Sequence, residues 1–256
     1  VTTAGGGDLA SVRTGPVAVG VDGSGEALDA VRWAATEAAR RKLPLRIVHA
    51  CVAPAMGREW LREAATVAAM TESGQTAETV LRIGDPVENM IAESVRAAIL
   101  IVAARGLGSG HEVLLGTVAR RLTGDARCPL VVVRGRLSGA GPVLVGVDGA
   151  AEAALSFGFD EADLRATTVT ALQTADEEAP GRALALAERL RQWERRFPGV
   201  PSDPLVITGN PGPSLMAYGT EAQLIVIGRQ AWGLGATSQA LVRAAPCPVA
   251  IVRDAG

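Results

Sequence analysis

Short runs of Val, Ile and Leu alternate along the chain with longer stretches in which apolar residues recur every three or four positions. In the first half the runs are "PVAVGVD" from Pro16, "PLRIVHACV" from Pro44, "TAETVLRIG" from Thr76, "AAILIVAA" from Ala97 and "CPLVVVRG" from Cys128. Such short, β-branched runs without helical period read as buried strands. Between the first two, Ala27, Leu28, Val31, Ala34, Ala35 and Ala38 fall on one helical face, with Glu26 early and Arg40, Arg41 and Lys42 late. That charge order complements a helix dipole. "GREWLREAATVAAM", "PVENMIAESVRAA" and "GTVARRLTGDA" supply three further helices. Strands alternating with helices predict right-handed crossovers and a parallel sheet covered on both faces.

The pattern then repeats. "VAVGVDGSGEAL" at Val17 returns as "VLVGVDGAAEAA" at Val143, an offset of 126 that carries Asp22 onto Asp148. "VLRIGDP" returns as "LVITGNP" at offset 125, and "CPLVVVRG" as "CPVAIVRD" at offset 119. Self-similarity at this period means two copies of one unit. Helical patterns of the second copy are "EAALSFGFDEADLR", "GRALALAERLRQWERRF", "PSLMAYGTEA" and "ATSQALVRAA", and Trp193 is expected to turn inward from its charged helix. The Ser and Gly of "RLSGAG" suit a linker, so the expected organisation is a flexible tail 1–14, a domain 15–135, a linker 136–141 and a domain 142–256.

Length agrees with two domains, since 256 residues exceed the common size of one. A formal net charge of -2 argues against a nucleic-acid-binding surface, so anionic ligands would need local sites. No uncharged apolar run reaches the roughly 18 residues of a membrane span, and the start lacks the pattern of a secretory signal. Three widely spaced cysteines, Cys51, Cys128 and Cys247, do not suggest a disulfide framework, and a cytoplasmic setting is expected.

Candidate chemistry concentrates in "AARGLGSGHEVLLGTVARRL", residues 103 to 122. Glycines without Cβ let backbone N–H groups approach an anion, and a helix starting at Gly116 and Thr117 offers further free amides. In an open α/β sheet, ligands sit beyond the carboxyl ends of the strands, where Asp22 and Gly106 both fall. No Lys follows Gly116, so this is not a P-loop; Gly106, Gly108 and His111 miss the third glycine of G-x-G-x-x-G. "GLGSG" is not a nucleophile elbow, because Gly108 directly precedes Ser109. Asp22 has two readings, ligand contact or cap of the following helix. His111 lacks a metal-ligand partner at the required spacing, since Leu115 stands where H-E-x-x-H needs His. His49, within an apolar strand, is expected to be a satisfied core histidine, and Cys51 a buried small hydrophobe.

With "VGVDGS" before it and "CPLVVV" after it, the stretch "RGLGSGHEVLLGTVARRL" resembles the universal stress protein family, in tandem over nearly the whole chain. ATP-binding members resemble G-x-x-G-(nine residues)-G-[S/T]. On that pattern Gly106 is the second glycine, Leu107 to Leu115 are the nine residues and Gly116-Thr117 close the motif, while Ala103 departs from it at the first glycine. The departure matters if that position needs a positive φ. In the second copy, "GRQAWGLGATSQAL", Ala231 replaces the second glycine, six residues separate Gly228 from Gly235, and Ala236 stands in place of the hydroxyl residue.

The resemblance implies an α/β fold of two doubly wound five-stranded, Rossmann-like domains. They would form an internal pseudo-dimer through "CPLVVVR" and "CPVAIVR", with Val131 to Val133 and Ile251 near the seam. It further implies a stress-response regulator binding ATP or a related adenine nucleotide in the first half, with the second half degenerate. Gly20, Val21, Asp22, Ala50, Ala103, Arg105, Gly106, Gly108, Gly116, Thr117 and Val118 would line the site. Asp22 would lie near ribose and adenine, and any Mg²⁺ would be held largely by phosphate and water. Weak ATPase activity stays open, as do a homodimer and the alternative of a nucleotide-independent scaffold that binds a partner protein.

Overall fold

A computed structural model describes residues 14–52, 56–106, 116–137, 139–149, 151–175, 180–229 and 235–253. Gly108, with the rest of Leu107 to Leu115, lies outside them, as do Ala231 and residues 1–13. The first half runs β1 (Val17–Gly20), α1 (Gly25–Arg41), β2 (Leu45–Cys51), α2 (Gly57–Thr71), β3 (Ala77–Ile83), α3 (Pro86–Arg96), β4 (Ile99–Ala103), α4 (Thr117–Asp125) and β5 (Leu130–Val133). The second runs β6 (Val143–Gly146), α5 (Glu152–Leu164), β7 (Val169–Ala175), α6 (Pro180–Glu194), β8 (Ser202–Thr208), α7 (Pro211–Tyr218), β9 (Leu224–Arg229), α8 (Ala236–Ala244) and β10 (Val249–Arg253).

The strands form one sheet in the order β3-β2-β1-β4-β5-β10-β9-β6-β7-β8. Within each half all pairings are parallel, so both halves are doubly wound. The halves join where β5 meets β10 antiparallel, Val132 opposite Val249, Val131 opposite Ala250 and Leu130 opposite Ile251. Val133 lies just beyond the paired residues. Strand side chains alternate between two buried layers: Val17, Val19 and Ile101 pack with α1, α2, α5 and α6, and Ala18, Leu100 and Val102 with α3, α4, α7 and α8. Trp193 is buried as expected and stacks on Phe159 at 6.0 Å.

Two polar devices fasten the seam. Arg134 of the first half donates to the carbonyls of Val242 (2.6 Å) and Ala245 (2.8 Å) at the end of α8, while Arg229 and Arg253 of the second half donate to Gly124 and Ala126 at the end of α4. Cations there satisfy carbonyls that a helix leaves unpaired and oppose its dipole. Between α1 and α5, Glu37 and Glu161 each bind both Arg41 and Arg165, closing a ring of four charges in which both carboxylates are fully buried. Arg41 also lies over Phe157 and Arg165 over Trp33.

A third cluster holds α3 to β2 and β3. Glu93, buried, accepts from Arg46 Nε at 2.9 Å and Arg82 Nη2 at 2.9 Å. Burial raises its carboxyl, but the two guanidiniums outweigh this and hold it below the ordinary range. A depressed pKa stabilises the fold above the ordinary carboxylate range and ceases to do so as pH falls through the folded value. Glu93→Gln is therefore expected to reduce stability near neutrality and to flatten the acid side of a plot of melting temperature against pH.

Candidate functional site

The sheet order reverses around β1, with β2 on one side and β4 on the other, and in open α/β sheets ligands bind beyond the carboxyl ends of strands at such a switch point. β1 ends at Gly20, where a Cβ would press on Met90 Cε at 3.1 Å. Val21 extends the ladder, its N–H donating to Val48 O at 2.9 Å, and delivers the chain to Asp22. Gly23 then turns with φ +86 against the Trp60 ring, where a side chain would be both strained and blocked. Asp22 Oδ1 accepts from Ser24 N (3.1 Å) and Ser24 Oγ (2.6 Å), and Ser24 Oγ accepts from Ala27 N (3.2 Å). Ser24 is thus the cap of α1, which decides one of the two readings of Asp22.

Asp22 is held by that cap and turned toward the glycine stretch. A Cβ on Gly106 would collide with Asp22 Oδ2, so glycine at 106 makes room for the carboxylate. Ala103, the last residue of β4, is absent from the positive-φ residues, which among described non-glycines are Lys42 and Ala166. Its methyl therefore adds no backbone strain, and the departure from glycine is accommodated. Ala104 N donates to Val133 O (3.0 Å), and Ala104 O accepts from Gly116 N (2.9 Å), so the two ends of the stretch that begins at Leu107 are tied together. Gly116 caps α4 without a side-chain bond and lies beside Arg105 and Gly106. The start of α4 therefore abuts the residue that touches Asp22, and among the described residues no side chain caps its first amides.

Other expected residues arrange themselves around this centre. Thr117 is exposed in the first turn of α4, and Val118 packs partly into the layer beneath. Ala50 is half-buried near the end of β2. Arg105 is exposed and 3.7 Å from Glu26, a pair too open to contribute much stability. Gly108 lies outside the described residues. In the second half Asp148 is exposed where Asp22 is half-buried, and Ala151 caps α5 without a side-chain bond where Ser24 caps α1.

The model of the Universal stress protein family matches residues 14–134 and again 140–253. The chain belongs to the universal stress protein family. A universal stress protein of Mycobacterium tuberculosis (strain ATCC 25618 / H37Rv) is 32% identical over 285 residues, covering 93% of this chain and 97% of the relative. One of Mycolicibacterium smegmatis is 33% identical, covering 93% of this chain and 96% of the relative. A universal stress protein structure from Archaeoglobus fulgidus DSM 4304 shares the fold, with TM-score 0.77 at 19% identity over 95% of this chain and 97% of that one. A solved universal stress protein in complex with cAMP is 30% identical over 47% of this chain and 98% of its own, with TM-score 0.41.

Two expectations for this universal stress protein are corrected. His49 is buried, but only Nδ1 is satisfied, 2.8 Å from Val21 O; Nε2 has no hydrogen-bond partner among the described residues. Cys51 is half-buried at the end of β2 rather than buried. Among the described residues no group of three His, Cys, Asp or Glu side chains is arranged to hold a metal, and no helix is long and apolar enough to cross a membrane.

Proposed function

We propose that the first half of this universal stress protein binds ATP or a related adenine nucleotide, that the second half holds no triphosphate, and that the protein acts in the cytoplasm as a nucleotide-responsive regulator of the stress response. The observation that carries this reading is the meeting of Asp22, Gly106 and the start of α4, which Gly116 caps without a side chain, three separate places in the chain, at the sheet's switch point. The groups present suit the ligand. Amides at the start of α4 favour phosphate, and the Asp22 carboxylate suits a hydroxyl or amino group rather than a second anion. With no three-ligand protein cluster among the described residues, Mg²⁺ would be carried on phosphate and water. The two functional units are taken to be 15–135 and 142–256, joined by 136–141.

The test is direct. Purified protein is denatured and the released small molecules chromatographed; protein freed of ligand is then titrated calorimetrically with ATP, ADP and AMP. One adenine nucleotide per chain is expected. Gly106→Ala, which drives a methyl into Asp22, is expected to weaken binding about tenfold or more by displacing that carboxylate. Absence of both released nucleotide and titratable binding overturns the reading in favour of a nucleotide-independent scaffold.

A further inference from the structure

Val21, the residue immediately before Asp22, is fixed at both of its peptide groups by consecutive residues of β2. Its N–H donates to Val48 O at 2.9 Å, and its carbonyl lies 2.8 Å from His49 Nδ1. A carbonyl can only accept, so Nδ1 carries a proton, and Nε2 is the ring's second polar atom. Nε2 is buried and unpartnered among the described residues, an arrangement that costs free energy and calls for a reason. The ring is also held in place. Trp60 meets it edge-on at 5.0 Å, and a Cβ on Gly57 would come within 2.5 Å of its Cδ2 and 3.1 Å of its Nε2. Trp60 in turn packs on Gly23, so the ring that braces His49 also supports the turn after Asp22.

The second half supplies an internal comparison. Val17 pairs with Leu45 in the first half as Val143 pairs with Val169 in the second, which aligns His49 with Gln173. Val147 N still donates to the strand, at 2.8 Å from Leu172 O, but the residue beside it is a half-buried Gln. The half with the full glycine stretch has the histidine; the half with six residues between Gly228 and Gly235 does not.

We infer that His49 is a positioning residue of the candidate nucleotide site: its Nδ1–H fixes the Val21 carbonyl and so sets the direction in which Asp22 meets Gly106. The peptide linking Val21 to Asp22 is planar, so fixing its oxygen also fixes its N–H and the path into the Asp22 Cα. This inference rests on the nucleotide reading above. His49→Leu fills the space without a donor, whereas His49→Asn places an amide donor near the position of Nδ1. Both are made in the full chain, and ATP binding is measured by calorimetry beside thermal unfolding. His49→Leu is expected to weaken ATP binding about tenfold, as loss of one aimed buried hydrogen bond would, with His49→Asn recovering most of the affinity. In nitrogen NMR of the unmodified protein, Nδ1 is expected to be the protonated ring nitrogen. Wild-type affinity in His49→Leu, equal losses in both variants, or a proton on Nε2 alone overturns the inference while leaving the nucleotide reading standing. A wild-type chain that binds no adenine nucleotide overturns both.

Discussion

Replacing Arg165 by Ala is expected to destabilise the fold by about 3–5 kcal/mol, the cost of removing one partner from a buried ion pair. Arg165 binds Glu37 Oε2 at 2.7 Å and also binds Glu161, and it is itself nearly buried. Without it, two buried carboxylates share Arg41 alone, whose remaining partner Asp160, at 2.7 Å, adds a third negative group. The cation over Trp33 is lost as well. Urea unfolding measures the effect. Replacing Glu37, Arg41, Glu161 and Arg165 together by apolar residues of similar volume is expected to be neutral or stabilising, because the desolvation of four charges disappears with their attraction.

The ring also gives this loss a pH dependence. Burial raises both carboxyls and the guanidiniums of Arg165 and Arg41 oppose it; Glu37 ends low, while burial and the adjacent Glu37 charge leave Glu161 pushed up to about 7. The two titrate as one coupled unit. Taking away Arg165 removes a force that favours ionisation, so the folded variant holds protons more tightly than the unfolded chain, and stability falls as pH rises. The destabilisation is expected to be larger at about pH 8 than at about pH 5.5. Equal losses at the two values would mean that removing Arg165 does not change the number of protons the two carboxylates release between them.

The strands and helices of this protein were legible because a sheet covered on both faces leaves unbroken apolar runs, and its covering helices leave a single apolar stripe. The charge ring was not legible for the same reason. Glu37 with Arg41, and Glu161 with Arg165, have the spacing of a solvated helix face, and nothing within either helix says that two such faces meet. A signal was present: both pairs recur at an offset of 124, which also carries Leu45 onto Val169. At the site, Asp22 was the one legible candidate for the cap of α1, whereas the bond from Ala27 N to Ser24 Oγ gives the cap to Ser24. His49 was legible as buried, but its bare Nε2 depends on what α2 brings against the strand, which no periodicity encodes.

Gly116→Asp is expected to move binding and stability in opposite directions. Among the described residues, the nearest neighbour of a Cβ at 116 would be Ala104 O, at 3.6 Å, an ordinary contact distance. Gly116 is the cap of α4 with φ -56 and ψ 145, an extended conformation in which Asp caps well. The new carboxylate would accept from first-turn amides and meet the positive end of the helix dipole, stabilising the fold by a few tenths to about 1 kcal/mol. Those amides are the ones proposed for phosphate, and the carboxylate would place a fixed negative charge among them. ATP affinity is expected to fall about a hundredfold or more, since the ligand loses its donors and meets repulsion in the same place. Adenosine, which brings no phosphate, should lose far less. A raised melting temperature with lost ATP binding locates the phosphate at the start of α4; a raised melting temperature with ATP binding intact would move it elsewhere.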